Sequence, residues 1–90
     1  MPTQILATGT TAADSADVVV AAGSTLLVGL KDAAGMQVAS DCVVLVLLKD
    51  DAGQYFRIDQ LDQNKPALVV AAGTWRFSRL AGPSCGVFSA

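Results

Sequence analysis

Five of the chain's eight glycines follow an alanine, at Gly23, Gly35, Gly53, Gly73 and Gly82, and this recurring pair limits the fold more than any other feature. Glycine takes positive φ without steric penalty, so each Ala-Gly reads as a turn that closes one short segment and opens the next. The segments between these turns are rich in Val, Leu and aromatic residues, which suits short strands. Strands are expected over 4–8, 17–21, 25–31, 42–49, 54–60, 67–71, 74–80 and 86–89. The pattern predicts an all-β sandwich or barrel of about seven or eight short antiparallel strands.

At 90 residues the chain is expected to form one domain over 1–90, at a size where much apolar surface stays wet. All eight acidic residues are Asp; Glu and His are absent. The missing Glu, a strong helix former, agrees with a β-built chain. Only 16% of residues are charged against 52% hydrophobic, whereas about 25% charged is usual. Apolar patches on so small a domain usually mark protein contacts, which favours an assembly subunit.

Charge and motifs exclude several functions. A net charge of −2 without clustered Lys and Arg gives no footprint for nucleic acid. The longest strongly apolar run, CVVLVLL over 42–48, is far below the roughly 20 residues of a membrane-spanning helix. The opening MPTQILATGT has no basic segment followed by an apolar core, so synthesis in the cytoplasm is expected, with no membrane partner. Nucleophilic mechanisms that need a His base are out. The Asp pairs 14/17, 50/51 and 59/62 read as solvated loop acids. No phosphate-binding glycine motif, cofactor site or metal-ligand spacing is present, and an enzyme is the least favoured reading. Cys42 and Cys85, in a chain that shows no signal peptide, are expected to be reduced and buried.

Alternation assigns faces where it is clear. In TWRFSRL, Trp75 and Phe77 share a face and should anchor the core, with Arg76 and Ser78 opposite. In QYFRIDQ, Phe56 and Ile58 share one face, and Tyr55, Arg57 and Asp59 the other. The run at 42–48 does not alternate, so both its faces are apolar. One needs a cover, from a loop of the same chain or from another subunit. Val43, Leu45 and Leu47 are therefore candidate interface residues, with Arg57, Arg76 and Arg79 as a basic patch for an acidic neighbour.

Three loop features complete the reading. The stretch TGTTAADSAD over 8–17 reads as a loop, and 1–16 as an arm that is flexible or orders on a partner. KDDAG at 49–53 predicts a tight hairpin, while its near copy KDAAG at 31–35 opens a longer connection, with 36–39 either a short edge strand or loop. The pentapeptide VVAAG occurs at 19–23 and 69–73, but the likeness stops at the glycine, which predicts a hairpin device used twice and not a repeat array.

The layout from Lys49 onward, with Lys49, Asp50, Gly53, Tyr55, Pro66, Gly73, Thr74, Trp75, Arg76, Gly86 and Val87 at its marked positions, resembles small structural proteins of tailed-bacteriophage virions. The opening ATGTTAADSADVVVAAGSTLLVGL is similar to the start of the same proteins, so the resemblance covers most of the chain. Relatives usually carry Tyr where this chain has Trp75, and Cys42 and Cys85 are not part of the pattern. The resemblance implies an immunoglobulin-like β-sandwich in the virion, a head decoration or cement protein whose partners are the major capsid protein or other virion proteins. It also implies a homo-oligomer, a trimer. Two rivals remain: a tail or fibre-base adaptor, and a module that recognises carbohydrate or a cell surface through its loops.

Overall fold

The computed structural model describes residues 2–32, 35 and 38–90. Among them are nine strands: β1 (Thr3–Gly9), β2 (Ala13–Asp14), β3 (Val18–Val20), β4 (Leu26–Lys31), β5 (Val44–Lys49), β6 (Tyr55–Leu61), β7 (Ala67–Val70), β8 (Gly73–Arg79) and β9 (Cys85–Ser89). They form two antiparallel sheets. Sheet A runs β1-β9-β4-β7, and sheet B runs β2-β8-β5-β6 with β3 also paired to β8. Of the all-β sandwich and barrel that the Ala-Gly punctuation allows, the chain forms the sandwich. All five of those glycines have positive φ, from 78° to 155°, and none of the other three does.

Apolar residues of both sheets meet between the layers. Phe77, Val44, Val46 and Leu61 from sheet B face Val28 and Val87 from sheet A, and all six are fully buried. Trp75 joins them, its indole N–H donating to the Ala71 carbonyl at 3.0 Å, which satisfies the ring's one polar atom. The Trp75 and Phe77 anchors are as the alternation implied.

KDDAG closes the β5–β6 hairpin, and Asp50 holds it: its carboxylate accepts from the amides of Ala52 at 2.9 Å and Gln54 at 2.7 Å. The VVAAG copies are not hairpins. Each carries the chain from one sheet to the other, β3 of sheet B into β4 of sheet A, and β7 of sheet A into β8 of sheet B. The two arches lie side by side, because β3 pairs with β8 (Val20 opposite Gly73) while β4 pairs with β7 (Leu26 opposite Val70). The shared pentapeptide does not make the same turn twice: Gly23, at φ 82°, lies in a turn where the Ser24 amide donates to the Ala21 carbonyl at 3.0 Å, whereas Gly73, at φ 148°, already begins β8.

The segment read as a loop or arm is tied down. Residues 3–9 pair with β9, and residues 13–14 pair with β8. Between β2 and β3, buried Ser15 donates its amide to the Phe77 carbonyl at 2.8 Å, and its hydroxyl accepts the Phe77 amide at 3.0 Å. A side chain thus replaces one backbone acceptor in the ladder. Of KDAAG, Gly35 donates its amide to Asp32 at 2.9 Å; residues 33, 34, 36 and 37 lie outside the described residues, and with them the choice between strand and loop at 36–39.

Two cross-links hold the sheets together, and neither was expected. Cys42, just before β5, is disulfide-bonded to Cys85 at the start of β9, with a Cα–Cα distance of 6.4 Å, so the thiols are not free. The fold brings together residues 43 apart in sequence, which spacing alone does not reveal. The second is Arg79. Opposite Val44 and Ala13 in register, it points into the sandwich and is 5% exposed. Its Nε donates to the Thr11 carbonyl at 2.7 Å, and its Nη1 to the carbonyls of Ala7 at 2.6 Å and Cys85 at 3.0 Å. Its Nη2 would lie 2.8 Å from a Cβ at position 9, so glycine there makes room for the guanidinium.

Replacing Arg79 with Met keeps the apolar stem and takes the guanidinium donors from three carbonyls, that of Cys85 on a buried residue. This should cost about 2–4 kcal/mol in urea unfolding, at the strong end for bonds made by a charged group; a change under about 0.5 kcal/mol, the size of an ordinary surface substitution, would refute the assignment. For the disulfide, the denatured, unreduced protein should show no reaction with a thiol reagent and two equivalents after reduction. Reduction should lower stability by about 2–4 kcal/mol through the freed loop.

Candidate interaction surfaces

Directly opposed residues in an antiparallel sheet share a face. On the outer face of sheet B, Leu45 is flanked by Gln60 and Ser78, and Leu47 by Arg57 and Arg76. These residues of the candidate interface, Leu45, Leu47, Arg57 and Arg76, therefore share one surface. Val43 is half-buried at the start of β5, and its carbonyl accepts the Leu80 amide at 3.1 Å. Arg79 does not join them, since it lies in the interior.

The outer face of β5 is partly covered from within the chain. Leu45 and Leu47 are half-buried between the long side chains that flank them, and those side chains are bonded to one another. Arg57 donates to Gln60 at 2.6 Å, and Gln60 to Asp62 at 2.8 Å. On the other side, Arg76 donates to Asp17 at 3.0 Å and to the Tyr55 hydroxyl at 3.1 Å, and its guanidinium carbon lies 3.9 Å from the Tyr55 ring centre. The Tyr55 hydroxyl lies 2.7 and 2.8 Å from the two carboxylate oxygens of Asp17. The Nε of Arg76 is buried without a hydrogen-bond partner; the ring stacked on the guanidinium offers a cation–π contact in place of water. This cluster spans β5, joining β8 and the segment before β3 to β6.

The cluster shifts two ionisations. The hydrogen bond from Tyr55, more than the charge of Arg76, lowers the Asp17 carboxyl below its ordinary 3.8. The same bond to Asp17 raises the Tyr55 hydroxyl above its ordinary 10.0, because ionising it would set two anions together.

Sheet A presents a different outer face. Leu27 and Val69 stand directly opposite each other, 45% and 60% exposed, and Gly29 is opposite both Ala67 and Phe88 in the next row. The Phe88 ring lies over Gly29, 3.2 Å from where a Cβ would be, so glycine there lets the ring lie flat on the sheet. The polar residues of this face, Lys31 and Gln4, bond to each other at 2.7 Å. At that end a groove of about 440 Å3 opens, with Leu30, Val38, Pro66 and Phe88 on its apolar side and Lys31 and Gln63 among its polar residues. Among the described residues no group of His, Cys, Asp and Glu side chains is placed to hold a metal ion, and no helix is long and apolar enough to cross a membrane.

The exposed pair Leu27 and Val69 was not singled out from the sequence. Both LLVGL and ALVV are apolar on both faces, so alternation does not say which residues look out. Phe56 and Ile58 form a second exposed pair, 52% and 58%. Regular alternation is interrupted between them: Val46 opposes Asp59 and Leu47 opposes Arg57, so Ile58 is the extra residue of a β-bulge. The outermost position of β6 in sheet B leaves both side chains at the rim.

No family model matches the chain, and no curated protein does. Among solved structures, it is similar to the SPBc2 prophage-derived protein YomS, seen in a crystal structure. The TM-score is 0.71 at 10% sequence identity, over 99% of this chain and 88% of that one. At that identity the likeness is one of fold.

The pKa shifts set a pH dependence with a definite sign. Asp17 ionises more readily when folded, so its contribution to stability is present above pH 3.8 and is lost as pH falls through the lower folded value. Tyr55 contributes below pH 10.0 and loses that contribution as pH rises through its higher folded value. Asp17→Asn should therefore lower the urea midpoint at pH 7, and the gap from the parent should close as pH is taken below the carboxylate range. A gap that stays constant down to acid unfolding would count against the cluster.

Proposed function

We propose that this chain is a non-enzymatic structural protein of a tailed-bacteriophage virion, made in the host cytoplasm and placed on the capsid as a decoration or cement subunit. The observation that carries the reading is the whole-chain likeness to a prophage-derived protein, which embraces nearly all of both chains rather than a shared fragment. It agrees with the motif resemblance running from Lys49 to Val87, and an immunoglobulin-like kinship belongs to the same proposal. Physical support comes from the surface. A domain whose polar atoms are largely tied to one another on sheet B, and whose sheet A exposes Leu27 and Val69 with half-buried Phe88 beside them, is suited to binding a shell through apolar anchors. A subunit that binds only the assembled shell stabilises it by mass action. The major capsid protein is the proposed partner, and the disulfide would serve persistence outside the reducing cell.

Cryo-electron microscopy of particles assembled with and without the chain tests the reading. Density on the head lattice is expected, together with a lower disruption temperature for heads that lack it. Density at the tail or fibre base would replace the decoration role with that of an adaptor. Particles with no copy, from a protein that binds soluble glycans, would overturn the virion reading altogether.

A further inference from the structure

The sandwich has four outer edges among its described strands, and three of them are irregular. The β1 edge has register shifts on both sides of Leu6. On the far side of β8 the edge is split into β2 and β3, with the Ser15 side chain between them. The β6 edge carries the bulge at Ile58, and Asp59 shares the inward-facing row of Val46 and Phe77, where Lys65 meets it at 3.1 Å. Bulges, interruptions and inward charges are the devices by which sheets keep other strands from adding to them. β7 has none of these. Its four residues, Ala67–Val70, pair with β4 in unbroken register, and no charged residue occurs from Pro66 to Trp75.

The free main-chain groups of β7 follow from the ladder. The Leu30 amide donates to the Pro66 carbonyl at 2.8 Å, so by antiparallel alternation Pro66, Leu68 and Val70 turn their groups to β4, and Ala67 and Val69 turn theirs outward. The missing N–H of Pro66 therefore costs the outer edge nothing.

We propose that β7 pairs with the β7 of a second copy of this chain, antiparallel about a two-fold axis at Leu68. Another β7 is the edge of this protein that can meet β7 without running into a bulge, a break or an inward charge. A two-fold axis must pass through a residue, not between residues, if inward side chains are to stay inward. An axis at Leu68 sets Ala67 opposite Val69 of the second copy, and Val69 opposite its Ala67. That pairing uses the four outward groups of each strand and no others; an axis at Val69 would call on the Ala71 carbonyl, already taken by Trp75. Packing is self-complementary as well. On the outer face each exposed Val69, with Leu27 behind it, meets the small Ala67 with Gly29 behind it. On the inner face the two half-buried Leu68 side chains meet. The result is one eight-stranded sheet whose outer surface joins the apolar patches of two copies, and it closes at two. It does not depend on the virion role.

The test is a sedimentation series of the purified protein, paired with hydrogen exchange at the amides of Ala67 and Val69. A mass of twice 9.2 kDa is expected at high concentration, with both amides slowed as the dimer fills. Val69→Lys, at a residue 60% exposed and so without cost to the fold, should weaken association at least tenfold and restore fast exchange. Ile58→Lys, on the defended edge, should change neither. A single-chain mass at every concentration with fast exchange at both amides would overturn the proposal. So would a three-chain mass, or a dimer that survives Val69→Lys.

Discussion

The structure depends on one buried cation. Arg79 ends β8 on the inner face of sheet B, and its guanidinium reaches across the interior to the carbonyls of Ala7, Thr11 and Cys85. Those three belong to β1, to the connection after it and to β9. A guanidinium has five donors in a rigid plane, so one side chain can satisfy several carbonyls that no regular ladder reaches. Among the described residues no carboxylate pairs with it, and the backbone oxygens carry the solvation that burial removed. Gly9 is glycine because the guanidinium occupies the space of its Cβ. The disulfide anchors at Cys85, whose carbonyl Arg79 also holds, so the covalent and the hydrogen-bonded cross-link fasten the same strand end.

A second constraint organises the opposite end of the sandwich. The two VVAAG arches lie against each other, and pairing β3 with β8 in one sheet goes with pairing β4 with β7 in the other. This arrangement sends β7 to the outside of sheet A, regular and uncharged. Meanwhile sheet B spends its Arg, Tyr and Asp side chains on one another across β5. The two outer faces therefore differ in kind. One is a bonded polar lattice that flanks half-buried Leu45 and Leu47, and the other is an apolar surface with an open strand edge.

Much of the strand plan was legible in the sequence. The Ala-Gly turns and the runs between them locate eight of the nine strands to within a residue or two, and alternation in TWRFSRL assigns Trp75 and Phe77 inward. What escaped has a common physical cause. β2 is two residues long and is held by the partner strand and by Ser15, so no local pattern announces it. The bulge at Ile58 is set by how β6 meets β5, and a period-two reading carries no term for an extra residue. Arg79 follows Phe77 at the strand period and so does share its face, yet a charge at such a position reads as solvent-facing until the carbonyls around it are in view. The outward pair Leu27 and Val69 is hidden in runs that are apolar on both faces.

By itself, the sequence determined that this chain is all β, where its turns fall and which aromatic residues enter the core, since glycine φ and the two-residue period are local properties of the backbone. The tertiary structure decided the rest: that Cys42 meets Cys85, that Arg79 turns inward, that the repeated pentapeptide makes a pair of arches, and that β7 is left open. Each of these depends on which strands become neighbours. That choice belongs to the packing of two sheets, where residues tens of positions apart compete for the same interior.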